Sequence, residues 1–270
     1  MKIFANHAHV YQKEMFEHGM SMPGTIENLK KVMDECQIDK AVAFAPLPSS
    51  YNRIGNLHQN EWLAREIKGE PNIVGFGVID FSLGHLKDQV KQLYDLGLKG
   101  IKMHPAEQKL KIDSPEAFEV YEIAEELGLV ISYHTGVHWH RIADYNMLLY
   151  DEVAYHFKKL RLTFEHVGGY SFFNDAVAVL INSRNTTYAG LTSVFDHKMN
   201  KFWYLSDDKI NDLMWMIGPE RCIFGLDFPW NDAEKIQFAI NKIMTLDITE
   251  EQKAGILGGN LAKLLNVSLD

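Results

Sequence analysis

Cys222-Ile223-Phe224-Gly225-Leu226-Asp227 is an apolar run that stops on an acid. An aspartate closing a strand-like run is costly to bury unless it is paired or bound to a cation. The same design recurs elsewhere in the chain. Lys2-Ile3-Phe4-Ala5-Asn6-His7-Ala8-His9 ends on two histidines, Val130-Ile131-Ser132-Tyr133-His134 on one, and Leu162-Thr163-Phe164-Glu165-His166 on another. Parallel strands that carry such residues at the same ends bring them to one point, as a β/α barrel does at its active-site face.

Eight such runs can be read, near residues 2–9, 40–46, 73–80, 99–104, 129–134, 162–167, 187–194 and 222–228. Most are apolar on both faces, as buried parallel strands are. Helical patterns lie between them. Thr25 reads as a cap before a helix that places Ile26, Leu29, Val32 and Met33 on one face. Leu86, Val90, Leu93 and Tyr94 form a second stripe, and Ala117, Val120, Tyr121, Ala124 and Leu127 a third. Gly97, Gly100 and Gly128 fit C-terminal caps. Eight strands alternating with helices, without a linker or low-complexity segment, predict an α/β fold: one (β/α)8 TIM barrel spanning 1–270 as a single domain.

Bulk properties narrow the function classes. The chain has 270 residues and a formal net charge of −9, which disfavours nucleic acid or an anionic membrane as partner. Cys36 and Cys222 read as reduced core residues rather than a disulfide framework. No apolar run approaches the roughly 20 residues that span a bilayer. A strand begins almost at Met1, which leaves no place for a signal peptide, so the expected location is cytoplasmic.

His7 and His9, two apart on a strand, point to the same side and can chelate one cation. His134 and His166 each precede a glycine-containing turn, His134-Thr135-Gly136 and His166-Val167-Gly168-Gly169. Either alone reads as a core histidine; together with the first pair they read as a metal site, for which imidazole suits zinc and its neighbours. Asp227 is read as metal ligand and proton-transfer base. It could also cap the helix starting near Asn231, but Phe228 and Pro229 intervene. Lys102, in Gly100-Ile101-Lys102-Met103-His104-Pro105, keeps three readings: a substrate-holding ammonium, a carboxylated bridge between two metals, or a strand-end lysine paired with a neighbour. His104 reads as a hydrogen-bond donor behind the ligands or as a core histidine. The loops after the first, second, fifth and seventh strands hold Tyr11, His18, Arg53, His138, Trp139, His140, Arg141 and Trp203. Of these Arg53, Trp139 and Arg141, with Lys102, are taken as substrate-binding residues.

As a set, His7-Ala8-His9, Asn60-Glu61, Gly100-Ile101-Lys102-Met103-His104-Pro105, His134-Thr135-Gly136, His166-Val167-Gly168-Gly169 and Gly225-Leu226-Asp227-Phe228-Pro229 resemble the amidohydrolase superfamily. The closer resemblance is to its amidohydrolase-related, family 2 branch, which includes aminocarboxymuconate-semialdehyde decarboxylase-like enzymes. The resemblance covers nearly the whole chain, from His7 to the Asn260–Leu265 segment. It implies one divalent metal, usually zinc, held by His7, His9, His134 and Asp227, with His166 polarising the substrate or moving a proton. A second metal would follow if Lys102 is carboxylated. It also implies a small-molecule substrate and a homo-oligomer, commonly a dimer. Hydrolysis of an amide, ester or lactone bond of a small carboxylate-bearing substrate is the leading expectation, with Asp227 as base and later acid. The alternative is metal-dependent, non-oxidative decarboxylation of an unsaturated or aromatic acid. A barrel that only binds ligands would require loss of a ligand residue, and none is missing.

Overall fold

The computed structural model describes residues 1–51, 58–198 and 201–269. Its strands are β1 (Phe4–His9), β2 (Lys40–Phe44), β3 (Ile73–Gly77), β4 (Gly100–Met103), β5 (Val130–His134), β6 (Arg161–Glu165), β7 (Thr187–Thr192) and β8 (Cys222–Phe228). They pair in parallel in chain order, and β1 closes on β8 to complete the barrel. The helices are α1 (Ile26–Glu35), α2 (Pro48–Tyr51), α3 (Gln59–Glu66), α4 (Leu86–Asp95), α5 (Pro105–Gln108), α6 (Pro115–Glu126), α7 (Leu149–His156), α8 (Gly169–Asn182), α9 (Asp207–Ile217), α10 (Ala233–Met244), α11 (Glu250–Ala254) and α12 (Asn260–Leu265). No helix among the described residues is long and apolar enough to cross a membrane.

Local chemistry explains most boundaries. Thr25 Oγ1 accepts the backbone N–H of Asn28 and opens α1, a cap worth about 1 kcal/mol. Ile26, Leu29, Val32 and Met33 are its buried stripe. In α4 the stripe is Leu86, Gln89, Val90 and Leu93, whereas Tyr94 is half exposed. Gln89 lies inside because its amide bonds the backbone of Asp80 through both ends, at 2.9 and 2.8 Å. Gly97 and Gly128 take the left-handed turns that end helices, but Gly100 does not: it is the first residue of β4, packed against the Val130 carbonyl.

Two layers fill the inside of the barrel. The lower one is apolar, with Phe4, Val42, Phe76, Val130 and Ile223 closed off by Leu261, Leu264 and Leu265 of α12. The upper one is polar and carries the strand-end residues. The outward faces of the strands pack on the helices in the main hydrophobic core.

β1 is not a regular strand. Its pairing with β2 shifts register between Ala5 and Ala8, and its pairing with β8 shifts between Asn6 and Ala8. His7 sits in this bulge with φ of 63°. Bulges near active sites re-aim side chains. The convergence of His7 and His9 therefore comes from the bulge and not from regular alternation alone. His166 and Asp227 also take left-handed backbone, at φ 67° and 57°. Non-glycine residues adopt this region at an energetic cost that the surrounding structure must hold in place.

Candidate metal centre and cavity

Glu165, at the end of β6, organises the upper layer from the inside. It is fully buried, and both its oxygens are acceptors. Oε1 takes bonds from Asn6 Nδ2 at 2.8 Å, Ser132 Oγ at 3.1 Å and Thr163 Oγ1 at 2.8 Å. Oε2 takes them from Thr192 Oγ1 at 2.6 Å and His7 Nδ1 at 2.9 Å. Four strands are thus tied to one carboxylate. Room for it comes from Gly190 on β7, where a Cβ would sit 2.5 Å from Oε2.

Above this hub lie the groups that could hold a metal. The carboxylate partner sets the His7 proton on Nδ1, so Nε2 carries the lone pair. His166 is oriented in the same way: Nδ1 donates to the Thr192 carbonyl at 2.8 Å, and its Nε2 is buried with no partner among the described residues. Asp227 Oδ1 lies 3.5 Å from His7 Nε2, and its Oδ2 accepts from Ser193 Oγ at 2.7 Å. His7, His166 and Asp227 each offer an atom within 4.8 Å of the others. His9 Nε2 stands 3.0 Å from His7 Nε2.

This donor set fits a divalent metal. Histidine ligands usually have their second nitrogen held by a carboxylate or a backbone carbonyl, and both forms occur here. The orphaned Nε2 of His166 is the kind of buried atom a cation satisfies. Burial keeps the imidazoles of His7, His9, His134 and His166 well below their usual pKa, so they are neutral and able to ligate. Burial also pushes the Asp227 carboxyl up to about 6, against the opposing pull of the Ser193 bond and the Lys102 charge.

His134 is close by but engaged elsewhere. Its Nε2 is 2.7 Å from the Gly136 carbonyl, and its ring stacks on His104 at 4.1 Å. Lys102 is buried and does not line the cavity. Its Nζ is buried without a hydrogen-bond partner among the described residues, 5.0 Å from the centre of the Phe44 ring. Burial lowers its ammonium to about 8, with Glu165 and Asp227 opposing the shift.

The cavity above the centre has a volume of about 310 Å³. Tyr11, Trp203, Phe202 and Trp230 supply its aromatic wall. Trp203 stacks on His166 at 4.0 Å and donates Nε1–H to the Val137 carbonyl. Trp230 sets its ring edge against His9 at 5.2 Å. Trp139 lines the rim, largely exposed, against Phe202. Arg141 does not reach this cavity: its guanidinium is exposed and paired with Asp144 at 3.0 Å, facing a neighbouring depression. Arg53 lies outside the described residues. Sequence patterns alone assign no role to Glu165 or Ser193. An acid inside an apolar strand next to His166 was the signal available for the first; Ser193 carried none.

A closed parallel barrel with imidazoles and a carboxylate gathered at its strand ends presents a candidate metal centre at its active-site face. The chain belongs to the amidohydrolase family, whose model matches residues 29–267. It is 20% identical over 238 residues to 2-amino-3-carboxymuconate-6-semialdehyde decarboxylase of Dictyostelium discoideum, covering 77% of this chain and 65% of that protein. Among solved structures, a manganese-bound dihydroxybenzoic acid decarboxylase from Polaromonas sp. JS666 is similar with a TM-score of 0.70. That likeness is at 14% identity and covers 98% of this chain and 97% of the other. A probable 2-pyrone-4,6-dicarboxylic acid hydrolase from Acinetobacter baumannii is similar with the same TM-score of 0.70, 14% identity, and coverage of 98% and 100%. These structural likenesses show the fold.

Proposed function

We propose that this chain catalyses metal-dependent, non-oxidative decarboxylation of a planar unsaturated or aromatic acid. The observation that carries the reading is the aromatic cavity lined by Asp227, a carboxyl that burial pushes up to about 6. Trp203, Trp230 and Tyr11 would sandwich a flat conjugated acid, whose π-system can accept the electron pair of the breaking bond. The reactions named for the decarboxylase relatives support it. This reverses the order of the two expectations drawn from the sequence.

His7, His9 and Asp227, with His166 or His134, would hold one divalent metal, zinc or manganese by donor type. Bound there, it would supply a Lewis acid for the substrate's oxygens. The proton chemistry belongs to the chain. Asp227 would act in its protonated, unligated form, delivering its carboxyl proton to the substrate carbon that bears the leaving group and returning to ligand duty as the carboxylate. The carbon–carbon bond breaks, its electrons return to the conjugated system, and carbon dioxide departs. Ser193 holds Asp227 Oδ2, which leaves Oδ1, 3.5 Å from His7 Nε2, as the oxygen that would carry the proton. Trp203, flat against His166, would shield that side from water.

Hydrolysis remains the second reading, supported by the same Asp227 acting first as base and by the hydrolase among the structural neighbours. The test is product analysis with the metal-loaded enzyme. Isotopically labelled carbon dioxide released from carboxyl-labelled aromatic or muconate-type acids, and lost in Asp227→Asn, supports decarboxylation. Ring opening of candidate lactones without carbon dioxide would replace it with hydrolysis.

A further inference from the structure

The geometry points to a second metal site at the barrel mouth, built by His104, His138 and His140 and separate from the centre around His7. His104 follows β4, and the other two belong to the loop after β5. Each offers a nitrogen within 4.8 Å of the others. The three rings form a triangle, with centroids 5.2 Å apart for His104 and His140, 5.8 Å for His104 and His138, and 5.9 Å for His138 and His140. His104 Nε2 and His138 Nδ1 are both buried with no hydrogen-bond partner among the described residues. Two orphaned nitrogens at one spot call for a bound ligand.

The site is built rather than accidental. The Tyr145 hydroxyl clamps the His138 backbone from both sides, accepting its N–H at 2.9 Å and donating to its carbonyl at 2.7 Å. His104 is fixed by its stack on His134 and by its backbone N–H, which donates to Gln108 Oε1 at 2.8 Å. Zinc–nitrogen bonds of about 2.1 Å separate tetrahedral ligands by roughly 3.4 Å, a modest contraction of the triangle. Ligation through His104 Nε2 moves the ring proton to Nδ1 and gives up the long 3.3 Å bond from the Glu107 N–H. That loss is small beside three metal–imidazole bonds.

An all-imidazole set with no carboxylate selects zinc, nickel or copper(II) over magnesium or calcium. His104 and His138 line the cavity, so the open fourth position of such a site faces the substrate and would take one of its anionic oxygens. The site rests on its own residues and not on the reaction proposed above.

The test is zinc per chain, counted by elemental mass spectrometry on protein stripped of metal, reloaded with excess zinc and desalted. The decisive quantity is the difference between wild type and H138A/H140A. A difference of one zinc supports the site, whether or not the His7 centre fills. No difference overturns it. So does a second zinc lost in Lys102→Ala but kept in H138A/H140A, which would put it at the barrel floor. H140Q keeps the other two ligands and provides a gentler probe. Its zinc titration against a competing indicator should show one zinc-binding step loosened at least tenfold; unchanged affinity refutes the assignment.

Discussion

Glu165 accepts the Nδ1 proton of His7 at 2.9 Å across the inside of the barrel and so joins the end of β6 to the bulge of β1. One bond does two things. It fixes which nitrogen of His7 faces the cavity, and it holds that residue in a left-handed backbone it would not adopt freely.

Glu165→Gln should therefore weaken metal binding more than its distance from the cavity suggests. A carboxylate behind a ligating histidine is typically worth 10- to 100-fold in affinity. Glu165→Ala also orphans the buried donors on Asn6, Ser132, Thr163 and Thr192. At about 1–3 kcal/mol for a buried unsatisfied group, the loss of stability should exceed about 3 kcal/mol. Chemical denaturation and metal titration read the two effects separately. A Gln variant with wild-type affinity would show that the carboxylate does not tune His7.

Replacement of either remaining histidine separates the geometry from the resemblance. His166 presents an Nε2 without a partner among the described residues, beside Asp227, whereas the His134 Nε2 is taken up by Gly136. His166→Ala should empty the central site, and His134→Ala should keep its metal. The reverse pattern, measured in H138A/H140A protein so that only this centre is counted, would give the fourth place to His134.

Acid should strip the centre in one step. The Asp227 carboxyl has its pKa raised to about 6, and its protonated form does not ligate. The histidines are lowered well below 6.5, so they do not compete for protons in that range. Metal affinity should level off above about pH 6 and fall by about tenfold per unit below it. Competition titrations between pH 5 and 8 check this. Affinity that stays flat across pH 6 would mean that Asp227 is not a ligand.

Gly190→Ala should be disproportionately harmful for so small a change. The new methyl would meet the Glu165 carboxylate at 2.5–2.9 Å, and the hub has no slack. Overpacking typically costs about 1–3 kcal/mol. Thermal unfolding with and without zinc should show both a lower Tm and a smaller zinc-induced rise. A variant as stable as wild type would place the carboxylate in a softer setting.

The strand ends were readable in the sequence because apolar runs there stop abruptly on His or Asp. All eight predicted runs overlap a strand of the barrel, and the cap at Thr25 forms as its side-chain chemistry requires. Composition patterns say less about side chains that pair across the barrel. Glu165 meets Asn6 and His7 from 159 and 158 residues away, a separation at which no local pattern signals contact. Arg141 looked like an anion-binding residue by type, but Asp144, three residues on, takes its guanidinium at the surface.

What this sequence determined by itself is periodicity and inventory: parallel strands, the helices between them, and ligand-type residues at the same ends. Those follow from local burial patterns, which neighbouring residues share. Tertiary structure alone decided the rest. Barrel closure set β1 beside β8 through the bulge in which His7 lies 3.5 Å from Asp227. It buried Lys102 away from the cavity lining and gathered His104, His138 and His140 from two loops into one triangle. These outcomes depend on register and on long-range packing, where the free energy belongs to pairs of residues far apart in the chain.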